Sequence, residues 1–595
     1  MNFEKIIQQS LVNIVKELYH QDIDPTCLQV NKTRKDQEGD FTVVVFPLSK
    51  MVKASPEAIA GQLGDMLVKK LEILEKYNVV KGFLNLFLTS EVWLQYFKTI
   101  QNTDFRFFSQ DTAQPVVVEF SSPNTNKPLH LGHVRNNLLG CSVCNILEAN
   151  GHKVVRVNLV NDRGIHICKS MVAWLHSGDG ETPKSSGMKG DHLVGKYYVE
   201  FDRLYKAEIA ALTAQGMDKE TAEKQAPILQ EAQEMLRKWE NGDPEVRSLW
   251  KQMNAWVYEG FDATYQRLGI AFDKIYYESD TYLLGKKMVE KGLQLGTFYH
   301  REDGAVCVDL KEEGLDEKVL LRSDGTSVYM TQDLGTAALR YEEYHPQKMI
   351  YIVGNEQNYH FDVLKLVLDK KLHLDWGKSI YHLSYGMVEL PSGKMKSREG
   401  TVVDADDLMQ SMVDIAEENT RQLGKTDDFS DAEVAALSNM VGLGALKYFI
   451  LKVDPKKNMM FNPEESIDMN GNTAPFIQYT HARISSLLRK AEASDIQVQA
   501  SVPEIDIPDG EKQILRALYD YAGTMEQAGI EYSPALIANY AYNLVKLYNQ
   551  FYQATPILRE ENNSLKLFRI QLSRVVARYI AHAMSLLGIA VPEKM

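Results

Sequence analysis

The strongest local pattern in the chain opens with Val116-Val117-Val118-Glu119-Phe120, a run that suits a buried strand. A polar turn, Ser121-Ser122-Pro123-Asn124-Thr125-Asn126-Lys127-Pro128, follows it. Leu131, Val134, Leu138 and Cys141 then recur at helical spacing, which predicts a helix over about 129–150. Pro128 suits the first helical turn and Gly151 a left-handed cap after the end. Residues 152–160 read as the next strand, so the unit is strand–helix–strand and the sheet is expected to be parallel.

Around this unit the pattern divides the chain. An amphipathic start (3–19), a strand-like 41–46 and a loosely alternating 82–88 predict a small α/β domain over 1–110. The stretch 110–115 has no apolar face and reads as a linker. The main α/β domain is expected over 115–430, with further strands at 305–310, 319–321, 349–353 and 380–385. Residues 182–260 are charged and helical in period, with Trp239, Trp250 and Trp256 as packing anchors, and read as an insertion. From Ser430 strand signals vanish, so 431–595 is expected to be an all-α bundle. The fold class is therefore α/β: a Rossmann-type parallel-sheet domain between a small α/β domain and a helical bundle.

Composition narrows the function. The 595 residues (67.6 kDa) are 44% hydrophobic and 25% charged, with a mean hydropathy of -0.29, which excludes a disordered or fibrous protein. No uninterrupted apolar run approaches the roughly 18 residues of a membrane span, and the start shows no secretory signal. Five cysteines do not make a disulfide framework, which favours a reduced, cytoplasmic setting. Against 80 acidic residues stand 66 basic ones, a net charge of -14. That argues against a general nucleic-acid coat protein, yet 511–595 carries nine lysines and arginines against seven acids.

Two elements carry chemistry. His130-Leu131-Gly132-His133 falls at the start of the helix after the first parallel strand, where free amides and the positive end of the macrodipole receive phosphate. Gly132 lets a ligand approach the backbone, and two imidazoles three positions apart share a helix face. The plainer alternative is a metal pair or two satisfied surface histidines. The second element is Ser392-Gly393-Lys394-Met395-Lys396-Ser397-Arg398-Glu399-Gly400, whose cations can neutralise a leaving pyrophosphate; taken alone, a solvated basic turn is the favoured reading.

In this order and on these elements, His130–His133 and Lys394-Met395-Lys396-Ser397 resemble the paired signature of class I aminoacyl-tRNA synthetases. The string from Glu119 to His133 resembles arginyl-tRNA synthetases in particular. So do Ser323-Asp324-Gly325-Thr326 with Tyr329 and Asp333, the run Val353–His360, Asn472–Arg483 and the closing Pro592-Glu593-Lys594-Met595. The resemblance implies activation of arginine by ATP to arginyl-adenylate, then transfer to the tRNA 3′ end with release of AMP and pyrophosphate. It also implies an N-terminal domain that meets the tRNA elbow and a C-terminal anticodon-binding domain.

By the same resemblance, Glu119, Asn124, His130, Tyr329, Asp333 and Gln357 bind arginine, with a structural cap as the lesser reading for Glu119 and for Asp333. Carboxylates and amide oxygens are what a five-donor guanidinium requires. Gly132, His133, His382, Met387, Val388, Lys394 and Met395 fall where the family binds ATP, with Mg²⁺ on its phosphates. The catalytic set is His130, His133, Lys127, Lys394 and Lys396; Lys127 enters because the usual fourth loop lysine is here Ser397. No structural metal is expected, since no Cys/His quartet is present.

Tyr540, Tyr548, Phe551 and Tyr552 recur at helical spacing and read as core or as platforms for anticodon bases. Lys566, Arg569, Arg574 and Arg578 read as a solvated face or as phosphate contacts. Cys141 and Cys144 read as packing thiols. The partners expected are arginine, ATP and the arginine tRNA, with no membrane and a monomeric state. Rival readings are a nucleotidyltransferase that never meets RNA, disfavoured by the long helical C-terminus, and a silent tRNA-binding protein, disfavoured by the intact histidine and lysine elements.

Overall fold

The computed structural model describes residues 2–34, 36–109, 111–389, 391, 403–422, 429–496, 498 and 501–595, with the side chains of 111–113 excepted. The first hundred residues hold α1 (Phe3–Tyr19), β1 (Val30–Lys32), β2 (Phe41–Val44), α2 (Phe46–Val52), α3 (Pro56–Lys70), β3 (Leu74–Val80), β4 (Phe83–Leu88) and α4 (Ser90–Ile100). The strands pair antiparallel in the order β1-β2-β4-β3. Asn2, Ser55 and Thr89 accept amide hydrogens at the starts of α1, α3 and α4, as small polar N-caps do.

The central unit opens with β5 (Asp111–Glu119), α5 (Leu131–Ala149), β6 (His152–Val160) and α6 (Ile165–Ser177). Helices α7 (Pro183–Ser186), α8 (Gly190–Ala214), α9 (Lys219–Gln225), α10 (Pro227–Glu240) and α11 (Pro244–Leu268) follow before the chain returns as β7 (Lys274–Tyr277). Trp239 is buried among these helices, its ring 5.3 Å from that of Trp250. Next come α12 (Glu278–Thr281), α13 (Leu284–Gln294), a small antiparallel sheet of β8 (Phe298–His300), β9 (Val306–Val308) and β10 (Lys318–Leu321), and α14 (Tyr329–Tyr344). β11 (Lys348–Gly354), α15 (Asn358–Leu366), β12 (Ile380–Tyr385) and β13 (Val388–Glu389) complete it.

The main sheet has the order β12-β11-β5-β6-β7, and every pair in it is parallel. Its core strand shows why the apolar run is unbroken: Val116 and Val118 enter the core on the α5 side, Val117 the core formed with α14 and α15. From β5 the chain moves to β6 on one side and later returns to β11 on the other. Such a switch point leaves a crevice at the carboxyl ends of β5 and β11, where ligands of open parallel sheets bind.

The remainder is helical: α16 (Ala405–Gln422), α17 (Asp431–Leu451), α18 (Pro463–Ser466), α19 (Ala474–Glu492), α20 (Asp509–Glu531), α21 (Pro534–Ala554) and α22 (Asn563–Leu586), with one two-residue strand, β14 (Met459–Met460), before α18. That strand departs from the expectation that strands end by Ser430; it pairs with β13 beside the catalytic unit. α17 is apolar on all sides because it is a core helix, with 78% of its most apolar stretch buried. The small N-terminal domain docks on the bundle. Phe3 stacks on Tyr519 at 5.0 Å, Lys32 pairs with Asp520 at 2.6 Å, and Arg516 pairs with the buried Asp40.

Two further expectations shift. Residues 111–115 are not a free linker but enter β5, where Gln347 donates to the Pro115 carbonyl at 3.0 Å; backbone pairing requires no apolar side chain. Pro128 precedes the helix instead of lying in its first turn, because His130 is the cap and α5 begins at Leu131. Gly151 adopts φ 87° after α5 as expected.

Arg135 ties α5 to the far side of the crevice. Its buried guanidinium donates to the carbonyls of Met387 (3.0 Å), Pro455 (3.2 Å) and Lys457 (2.8 Å). Truncation would remove three hydrogen bonds from a charged donor, each worth about 1.5 kcal/mol or more. Arg135→Met should therefore lower the thermal unfolding midpoint; unchanged melting would contradict this role.

Candidate active site

The turn between β5 and α5 is built from polar side chains that hold an unusual backbone. Ser121 and Ser122 have φ of 78° and 45°, in the left-handed region that costs a non-glycine residue of order 1 kcal/mol or more. The surrounding groups over-determine it. Asn136 accepts the Ser121 amide at 2.5 Å and Asn158 the Ser122 amide at 3.0 Å, while the Ser121 hydroxyl meets that of Tyr265 at 2.7 Å. Asn161 bonds Pro123 and Thr125 through its backbone, which sets the first turn against the end of β6.

At the start of α5 the two histidines cap their own helix. His130 Nδ1 accepts the Gly132 amide at 3.1 Å, and His133 Nδ1 accepts the His130 amide at 3.2 Å; the rings lie 3.9 Å apart. Because each Nδ1 accepts a hydrogen, each neutral ring carries its own proton on Nε2, as a donor. Burial, with Lys127 adding to it, pushes His130 down to about 4, and burial, then His130 and Lys127, holds His133 well below its ordinary value. Both are neutral donors at physiological pH. Formal positive charge must come from elsewhere, and half-buried Lys127 is beside them, its own pKa lowered by burial.

The backbone around the turn also receives the chain that follows the lysine-bearing segment. Leu131 donates to the Val403 carbonyl at 3.1 Å, and Ala405 to the Leu129 carbonyl at 3.0 Å, with His130 and Asp404 bridged. Lys394, Met395 and Lys396 themselves lie outside the described residues.

A cavity of 550 Å³ opens beside the turn, with Asn124 and Tyr329 in its wall together with Glu278, Gln332, Arg163 and Tyr282. Tyr329, at the start of α14, is 73% exposed. Asp333 lies one turn further along and bonds His360 Nε2 at 2.6 Å, which joins the starts of α14 and α15; Gln357 is exposed just before α15. Glu119 is buried and ion-paired to the buried Arg340, whose guanidinium lies 5.0 Å from the Tyr276 ring and 5.5 Å from that of Tyr351. Burial opposes that cation, but Glu119 foremost holds its pKa above the ordinary value.

On the opposite side, His382 Nε2 donates to the Val353 carbonyl (3.0 Å) and its ring stacks on Phe361 at 4.3 Å, while Met387 is partly exposed and Val388 is buried in β13. The tRNA candidates divide. Tyr540 and Tyr548 are in the bundle core, their hydroxyls donating to the Ala517 carbonyl (3.0 Å) and meeting Ser573 (2.9 Å), because α21 turns that face inward. Arg569 is buried and paired to Glu511 and Glu560, so it is not a phosphate contact here. Lys566 and Arg574 remain half-buried on α22, and Arg578 donates to the carbonyls of Gln101 and Thr103. Cys141 and Cys144 are free, and burial pushes both thiols up.

Sequence reasoning missed Asp162, Arg163 and Glu278. Asp162 follows β6 and Glu278 follows β7, both at carboxyl ends of parallel strands, which is the signal that could have found them. Asp162 accepts from Ser279 and Tyr258, and Glu278 is pushed up to about 7 by burial, against the nearby Arg163.

A parallel sheet with a histidine-capped helix at its switch point, joined to a helical bundle, is the architecture of class I tRNA synthetases. The family model described as "tRNA synthetases class I (R), catalytic domain" matches residues 99–462. The arginyl-tRNA synthetase N-terminal domain model matches 2–88, and the DALR anticodon-binding domain model matches 477–595. The arginine–tRNA ligase of Bacteroides thetaiotaomicron is 57% identical over 598 residues, covering 100% of both chains, and that of Porphyromonas gingivalis W83 is 53% identical over 600 residues. The solved Thermus thermophilus arginyl-tRNA synthetase superposes with a TM-score of 0.77 at 24% identity over 100% of both chains. The chain belongs to the arginyl-tRNA synthetase family, and its reaction is the ligation of arginine to tRNA.

The capping geometry makes a spectroscopic prediction. In ¹³C-labelled histidine spectra, the signals lost in His130→Gln and His133→Gln should show no titration between pH 8 and 5.5; a midpoint near 6.5 at either ring would contradict the Nε2–H assignment.

Proposed function

We propose that the turn at the start of α5 is the phosphate cradle for arginine activation. The carboxylate of arginine attacks the α-phosphorus of ATP, one P–O bond forms, and the bond to pyrophosphate breaks. Mg²⁺ arrives with ATP as part of the substrate. His130 and His133 donate Nε2–H to the transition-state oxygens, and Lys127, with Lys394 and Lys396, supplies the charge that neutral rings do not. A 3′-terminal hydroxyl of the tRNA then attacks the arginyl carbonyl and AMP leaves. The observation that carries this reading is the pair of imidazoles whose Nδ1 atoms are both committed to backbone amides, with an ammonium alongside.

Arginine is proposed to occupy the cavity of Asn124 and Tyr329, with Glu278 as its nearest carboxylate and Asp333 and Gln357 at its margin. Glu119 acts there through Arg340 as well as on the substrate. Gly132, His382, Met387 and Val388 line the adenosine side, and Met395 is assigned to ATP by the resemblance of its motif alone. The region 1–110 is proposed to meet the tRNA elbow, 115–430 to hold the chemistry and 431–595 to read the anticodon arm. The tRNA surface then runs over Lys566 and Arg574 and leaves Tyr540, Tyr548 and Arg569 to the core. A cytoplasmic monomer fits this work.

Arginine-dependent ATP–pyrophosphate exchange, run with and without tRNA, tests the scheme. Lys127→Ala should lose on the order of a hundredfold in exchange rate. A near-normal rate would remove Lys127 from the cradle, and exchange with a different acid and no RNA would overturn the reading as a whole.

A further inference from the structure

A second polar cluster adjoins the cradle and plays no part in the steps above. Lys189, the residue before α8, reaches Asp406 at 2.6 Å, Thr264 at 2.5 Å and Asp191 at 3.1 Å, so its ammonium joins α8, α11 and α16. One turn on, His192 Nε2 lies 3.2 Å from Asp404 and 3.4 Å from Asp406. Asp404 is the pivot. Its Oδ1 accepts the amides of Asp406 (2.8 Å) and Asp407 (3.2 Å) at the start of α16, its Oδ2 faces His192, and its backbone is bridged to His130.

The packing leaves this arrangement little freedom. The Asp191 side chain is 1% exposed, and a Cβ on Gly260 of α11 would come within 2.3 Å of its carboxylate. Gly195 of α8 lies so close to the cradle that a Cβ there would stand 2.8 Å from Pro128 Cδ. Asp191, His192 and Asp406 converge as a cation site would, but the Lys189 ammonium is already bonded to two of them, so the cluster is a closed ion network and not a metal site.

We propose that Lys189 and His192 are positioning residues for arginine activation: through Asp406 and Asp404 they clamp the chain at 403–405 onto 129–131, and so hold His130 and Lys127 in the geometry that receives phosphate. A charged His192 between two carboxylates grips both, whereas a neutral ring holds at most one by a hydrogen bond. The groups that face His192 are Lys189 and Asp191 at the start of α8, Asp404 and Asp406 at the start of α16, and Lys127, His130 and Lys196 around the adjoining groove. The bond to Asp406 first, then the charges of Asp404 and Asp191, raise its pKa above the ordinary value against burial and Lys189. A raised pKa means that the grip is complete at low pH and is lost as pH rises through that value.

The inference rests on the cradle assigned above but fails separately from it, because Lys127→Ala reports on the cradle at every pH. The test is arginine-dependent ATP–pyrophosphate exchange by the full chain with tRNA between pH 6 and 9, in His192→Gln and Asp404→Asn. The asparagine keeps a capping oxygen for α16 and removes only the charge. Both variants should lose about tenfold in kcat at pH 6.5, with the KM for ATP and arginine changed by no more than about twofold, and the deficit should shrink toward none by pH 9. A deficit equal at all pH, or one carried by KM alone, would overturn the proposal. Should His192→Gln fail to fold, Asp404→Asn meets the same criterion alone, and its own failure to fold would mark the contact as plain structural support.

Discussion

Everything at this site depends on how one helix satisfies its own beginning. The first amides of a helix lack partners, and in α5 the imidazole nitrogens of His130 and His133 accept at that end. Committing each Nδ1 inward leaves each Nε2–H outward, and burial keeps both rings neutral. A cap chosen for local stability thereby becomes a pair of oriented donors at a topological switch point. Neutral donors direct a phosphate oxygen but do not cancel its charge, which is why the proposed cradle assigns that charge to lysines.

The cost of holding such a turn is visible around it. Consecutive left-handed serines require four polar neighbours, from α5, β6, α11 and the segment after β6, and Arg135 ties three carbonyls from segments remote in sequence. Arg340 plays a comparable part at the end of β5. A buried Glu119 without it would be an uncompensated charge in a low-dielectric layer, so each partner needs the other to remain buried at the carboxyl end of β5. The same reasoning separates residues that present chemistry from residues that keep it in place.

Local signals in the chain sufficed for the βαβ unit, because an unbroken Val116–Val118 run and the Leu131, Val134, Leu138 spacing state their burial directly. They sufficed for the histidine turn as well. They did not reveal the partners of ionisable groups, since Arg340 beneath Glu119 and Glu511 beside Arg569 are brought in only by tertiary packing. Helical spacing of Tyr540 and Tyr548 showed a shared face without showing whether it points inward, and the bundle buries it. Nor does polarity distinguish a linker from a strand: residues 111–115 pair through backbone alone.

The most direct measurement of the central claim is the structure of the chain with ATP and arginine bound. The account predicts phosphate oxygens within about 3 Å of Nε2 of both His130 and His133, with Lys127 at hydrogen-bond distance from the same groups. Phosphates bound away from the start of α5, or contacts made through Nδ1 of either ring, would contradict it.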